Sequence, residues 1–455
     1  MRWVLSVVSL LCATLPADAQ AARDQLPQSA HSDSSMSGMK PPGMSQSTGA
    51  PDAPPADDMS GMNMAGMNME MPATGILGNY PMTRDASGTS WQPDATEHRG
   101  IHAMADNWSL MAHMMLDGVY DTQSGPRGGD KTFLEGILMG AARRDFADGE
   151  TLNFRAMLSP DPFMGKSGYP LLLATGETAN GVTPLVDRQH PHDLVMELSA
   201  TYSHRVTSAD SAFLYFGDPG EPALGPPAFM HRVSGMDIPE APITHHWLDS
   251  THIAFGVLTG GFVHDDWKVE VSQFTGREPD QYRFDFDPIS LDSTSARLSW
   301  NPDANWSLQT SFGHLVSPEQ LAPSINENRW TASATYVTPL GKGSSLAATL
   351  GWGMKQLSDG TNLNGILLES EYKPADPWTI FARAEWEQNN ELTASSAVER
   401  VAKLTLGAIH DWRVAEHWKA GLGASYDFDF VPSALESSYG SDPHGAMVFV
   451  RVIAD

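Results

Sequence analysis

Nine methionines crowd one stretch of the chain: Met36, Met39, Met44, Met59, Met62, Met64, Met67, Met69 and Met71. They recur in short units, Met36-Ser-Gly-Met39, Met59-Ser-Gly-Met62 and Met64-Ala-Gly-Met67. A thioether is a soft, uncharged ligand that suits Cu(I) and works without cysteine. The intervening glycines and serines let several sulfurs converge without a preset fold. The competing reading is a low-complexity linker with methionine as filler. A second soft set is Met111, His113 and Met115, alternate residues of one predicted strand. Met139, Met157 and Met447 share their expected inward parity on other strands. Here the competing reading is flexible packing. A third set is rich in imidazole. It holds His190 and His192 in the run Arg188-Gln-His-Pro-His-Asp193, then His231, His245, His246 and His252 beside Asp249. Imidazole with carboxylate fits Cu(II) or Zn(II). The alternative is that these histidines hydrogen-bond loops at a barrel mouth.

The composition limits what surrounds these groups. The chain has 455 residues, with 55 acids against 28 Lys and Arg and a formal charge of −27. That excess argues against nucleic acid as a partner and favours cations. Mean hydropathy is −0.28. With no late apolar run of about 18 residues, a helical membrane protein is excluded, but a membrane barrel is not. Arg2, the apolar stretch 3–15 and Ala17-Asp-Ala19 predict a signal peptide over 1–19. Cys12, the one cysteine, falls inside it, so the mature chain has no thiolate ligand, disulfide or cysteine nucleophile. Residues 20–75 are too poor in apolar groups to fold alone and read as a disordered periplasmic tail. Residues 76–107 read as a linker.

From Trp108 to the end, segments of about ten residues alternate apolar with polar or small, the signature of a transmembrane β-barrel. About sixteen antiparallel strands are expected. Their starts lie near Trp108, Thr132, Thr151, Leu194, Ala212, Thr251, Trp267, Ser293, Trp306, Arg329, Ser345, Asn362, Trp378, Val401, Trp418 and Gly445. Connections alternate short and long, and the long set includes 159–193 and 217–250. Trp108, Trp267, Trp300, Trp306, Tyr336, Trp378, Trp412 and Trp418 fall near the short turns, as an interfacial aromatic girdle requires. Arg383, Glu385 and Glu387 share one predicted inward face, with Glu369 and Glu371 on the adjoining strand for ion pairing.

No H-E-x-x-H, G-x-S-x-G or P-loop occurs, and no catalytic residues are expected. The order of signal peptide, Met-Ser-Gly-Met and Met-Ala-Gly-Met repeats, then barrel resembles the copper-resistance protein B family of the outer membrane. The resemblance covers the tail specifically and the barrel in general form. It implies copper as the bound metal, with sequestration or export at the outer membrane. Outer-membrane lipids and metal cations are the expected partners. The alternatives are a general diffusion porin with an incidental tail and an adhesin-like surface barrel.

Overall fold

The computed structural model describes residues 74–97, 99–375 and 377–455. The signal peptide and the nine tail methionines lie outside the described residues.

Sixteen strands close into an antiparallel barrel. They are β2 (Trp108–Gln123), β3 (Gly129–Asp145), β4 (Glu150–Leu158), β7 (Val195–Arg205), β8 (Asp210–Gly217), β9 (Val257–His264), β10 (Trp267–Phe274) and β11 (Ser293–Asp303), followed by β12 (Trp306–Leu315), β13 (Glu327–Gly341), β14 (Ser344–Leu357), β15 (Asn362–Ala375), β16 (Trp378–Asn389), β17 (Glu399–Ala415), β18 (Trp418–Phe430) and β19 (His444–Ala454). Each pairs with its successor, and β19 closes on β2 with Arg451 opposite Asp117. Below that seam β1 (Ile101–Ala105) continues the pairing along β2. A two-stranded hairpin, β5 (Tyr169–Thr178) with β6 (Pro184–Gln189), is separate from the wall and packs against its inner face, with Tyr169 stacked on Phe133 of β3.

The period-two pattern fixes which side chain faces which way. On β2, His113, Met115, Asp117, Val119 and Asp121 are buried, while Leu110 and Tyr120 are exposed. The outer surface carries a belt of exposed apolar residues, among them Leu134, Phe154, Leu214, Val271, Leu350 and Val450. A belt running round the whole wall is far larger than the patches soluble monomers tolerate, and it fits lipid. The aromatic girdle forms at the short-turn end. Trp267 stacks on Trp300 with ring centres 4.7 Å apart, and Trp306 meets Tyr336 at the same distance.

Two expectations change. Residues 76–97 do not hang as a linker. They enter the barrel from the short-turn end, where Leu77, Tyr80 and Trp91 are buried. Their polar backbone is satisfied by the wall. Ser211 Oγ donates to the Leu77 carbonyl at 2.6 Å, and Asn301 Nδ2 donates to the Gln92 carbonyl at 2.8 Å. The strand expected near Thr251 begins at Val257, because 250–252 form a helical turn within a loop that crosses the lumen.

That loop, 218–256, determines the interior. It holds the turn Phe229–His231 and the one-turn helix His245–Leu248. It is pinned to strands around the wall. Arg232 bonds Glu369 of β15 at 2.6 Å, and Asp237 bonds Arg451 of β19 at 2.5 Å. Thr244 donates from N and Oγ1 to Glu385 of β16 at 2.9 and 2.8 Å. The Ala223 N–H reaches Ser272 of β10 at 2.8 Å. The expected pairing of Arg383 with Glu369 is present at 2.9 Å, but Glu369 also takes Arg232. The inward charges of the wall therefore serve largely to seat this plug.

Candidate functional site

The soft ligands gather at the short-turn end. A chamber of about 390 Å³ is lined by Met82, Met111, His113, Met139, His231 and Met236, among others. Register explains the wall half of this set. His113 of β2 lies opposite Met139 of β3, which lies opposite Met157 of β4. The turn Phe229–His231 of the plug supplies the other half and brings His231 Nε2 to 3.0 Å from Met157 Sδ. His113 Nδ1 is buried without a hydrogen-bond partner. Burial, helped by the nearby Arg155 guanidinium, lowers the His231 pKa to about 4, so the imidazole is neutral and able to ligate. Charge lines the chamber too, as Arg155 with Glu197 and Lys373 with Glu371. Met115 and Met447 are buried in the adjoining apolar cluster, together with Met157.

Five of the six loop histidines come together higher in the barrel. Ring centres of His192 and His252, and of His245 and His252, are 5.1 Å apart. His190 lies 5.6 Å from His246. The sixth, His231, belongs instead to the lower chamber. Most of these rings are held through one nitrogen. His192 Nδ1 is 2.8 Å from Asp161, His245 Nδ1 is 2.9 Å from Asp249, and His252 Nδ1 is 2.8 Å from the Asp249 carbonyl. His190 Nε2 is 3.1 Å from Glu177. This is how metal-binding imidazoles are oriented by outer partners. Nε2 of His192, His246 and His252 is buried without a partner.

Among the described residues, however, no three of these imidazoles bring their nitrogens within 4.8 Å of one another. The grouping expected from sequence is a cluster of rings, each with its own anchor. Burial, reinforced by Arg283, holds His190 well below the ordinary histidine pKa, and burial with His245 does the same to His252. His246 behaves oppositely. Burial opposes its charge, but the Glu278 carboxylate outweighs that and raises it to about 9. His246 does reach ligand spacing, with Glu278 and Glu319, whose atoms all lie within 4.8 Å. Neither glutamate was legible as a site residue, because each sits in a separate loop with no motif around it. The Arg188–Asp193 run also gains a role. His192 anchors on Asp161, and Arg283 pairs with both Glu177 and Asp193.

No family model and no curated protein matches the chain. Among solved structures it is similar to Salmonella typhi OmpF, solved in complex with daunomycin. That match has 11% identity and a TM-score of 0.51, covering 78% of this chain and 100% of that one. An anion-selective porin from Comamonas acidovorans matches with 11% identity and a TM-score of 0.45, over 76% of this chain and 99% of that one. The outer membrane channel DcaP of Acinetobacter baumannii matches with 10% identity and a TM-score of 0.44, over 78% and 100%. At these identities the likeness is one of fold. The chain is a closed sixteen-stranded antiparallel β-barrel of the outer-membrane type.

Proposed function

We propose that this barrel sits in a bacterial outer membrane, short turns toward the periplasm, and binds copper, holding Cu(I) in the chamber at that end. The observation that carries the reading is the convergence of Met111, His113, Met139 and His231 from two elements, wall and plug, on one cavity, with Met157 beside it against His231. Thioethers with neutral imidazole select Cu(I) over harder cations. Short turns face the periplasm in barrels of this type. Residues 74–97 enter at the same end, and in sequence the methionine-rich segment comes directly before them, which supports a role for it in delivering metal. Export or sequestration is the corresponding biological role. Open diffusion is disfavoured, since the 218–256 loop crosses the lumen and bonds to strands on several sides.

The test is Cu(I) titration of the full chain in detergent against a competing chelator, beside a deletion of 31–72 and a Met139→Leu/Met157→Leu double variant. Expected stoichiometry falls with the deletion, and the site that remains weakens about tenfold or more in the double variant. A full chain that takes up no Cu(I) ends the copper reading and leaves a structural or surface role. Binding unaffected by the double variant removes the chamber as its location.

A further inference from the structure

We infer that His246, Glu278 and Glu319 form a second metal site, for a divalent cation of the Zn(II) or Cu(II) type, at the long-loop end of the barrel. Three separate segments meet there. His246 lies in the one-turn helix of the plug, Glu278 in the loop after β10, and Glu319 in the loop after β12. One ligand atom from each lies within 4.8 Å of the other two. The two glutamates are set side by side by backbone, since the Glu278 N–H donates to the Pro318 carbonyl at 3.1 Å. His246 Nδ1 is 3.1 Å from Glu278 Oε1.

The second observation is unmet bonding capacity. Glu278 Oε2 is buried beside His246 without a hydrogen-bond partner. His246 and Glu278 are 5% and 6% exposed. A buried unsatisfied polar atom is costly and calls for an explanation. Gly176 closes against the opposite edge of the ring, where a Cβ would lie 2.5 Å from Nε2, so the imidazole presents Nδ1 to the glutamates. The resident counter-charges are the proton that Glu278 holds on His246, which a metal would displace, and Lys355. Lys355 Nζ stands 3.8 Å from Glu319 Oε1 and is shared with Glu327 at 3.6 Å. One imidazole with two carboxylates is a nitrogen–oxygen set for a borderline divalent ion, leaving a position open for water. It is a poor set for Cu(I), so this site and the methionine chamber select different cations. Binding here would tie the plug to two outer loops.

The experiment is calorimetric titration of the full chain in detergent with Zn²⁺, alongside Glu319→Gln and Glu278→Gln, with thermal unfolding followed with and without the ion. Glu319 is partly exposed in its loop, so Glu319→Gln keeps the fold if Glu278→Gln does not. Losing even a supporting partner of a metal site costs roughly 10–100-fold in affinity. Glu319→Gln is therefore expected to weaken Zn²⁺ at least that far and to abolish its thermal stabilisation. The Met139→Leu/Met157→Leu variant is expected to bind Zn²⁺ normally, which separates this site from the Cu(I) reading. Equal Zn²⁺ affinity in the unaltered chain and Glu319→Gln overturns the assignment, as does the absence of any Zn²⁺ uptake.

Discussion

In planar bilayers, Arg232→Ala is expected to conduct ions in frequent large steps where the unaltered barrel stays mostly shut. Arg232 is the central tie between plug and wall. Its Nε donates to Glu369 of β15 at 2.6 Å and its Nη1 to Asp249 of the plug at 2.8 Å. Nη1 also reaches the Pro227 carbonyl at 3.0 Å. All three charged side chains are 2% exposed or less. Burial disfavours the Asp249 charge, but Arg232 more than offsets this and holds the carboxyl below its usual range. Deleting the arginine leaves Asp249 as a buried anion without its cation, and Glu369 with Arg383 alone. Removing one member of a buried pair costs about 3–5 kcal/mol. The wall does not need this contact, because its ladder closes on itself strand by strand. The cost falls on the plug, which can relieve it by leaving. Asp249 also fixes His245 and His252, so the imidazole cluster should loosen in the same variant. Arg232→Lys keeps the charge but not the two-pronged geometry, and an intermediate conductance is expected. Arg232→Ala with unaltered conductance and unaltered thermal unfolding would show that the plug is held by something else.

The wall was legible because its information is local. Strands beginning at Trp108, Trp267, Trp306, Trp378 and Trp418 start where expected, since a short turn and period-two alternation both lie within about ten residues. Parity then propagates. Once Asp117 points inward, so do Met111, His113 and Met115, and the register to Met139 and Met157 follows from β-pairing. The interior was not legible for the converse reason. Residues 76–107 read as a linker between the methionine-rich stretch and the first alternating strand at Trp108. Their partners, Ser211, Lys268, Arg297 and Asn301, are supplied by the wall from far along the chain. The six loop histidines looked equivalent in sequence. One helical turn sends His231 down to Met157, and another lifts His246 toward Glu278. Glu278 and Glu319, forty-one residues apart and unremarkable by type, are brought together by a backbone hydrogen bond from Glu278 to Pro318.

The second large effect is expected from one added methyl group. Gly353 of β14 and Gly365 of β15 are register partners that form a smooth seat under Trp247 of the plug. A Cβ on Gly353 would lie 2.1 Å from the Trp247 carbonyl oxygen and 2.7 Å from its carbon. Those are backbone atoms, and the helix carrying them is anchored next door through Asp249 and Arg232. A rotamer change cannot relieve the overlap, so Gly353→Ala should displace the helix and expose 218–256 to protease. Overpacking of a well-packed interior typically costs about 1–3 kcal/mol, and a backbone overlap belongs at the upper end. Gly365→Ala meets only the Trp247 side chain, at 2.9 and 3.0 Å, and should be milder. Gly140→Ala on β3 is the control, since its nearest neighbour would be 3.9 Å away. The ordering Gly353, Gly365, Gly140 in protease sensitivity is the expected result. If Gly353→Ala is as protected as Gly140→Ala, the helix is free to shift by about an ångström. In that case the plug is a movable gate seated loosely on its glycines, and the ties at Arg232 and Thr244 would have to account for its position.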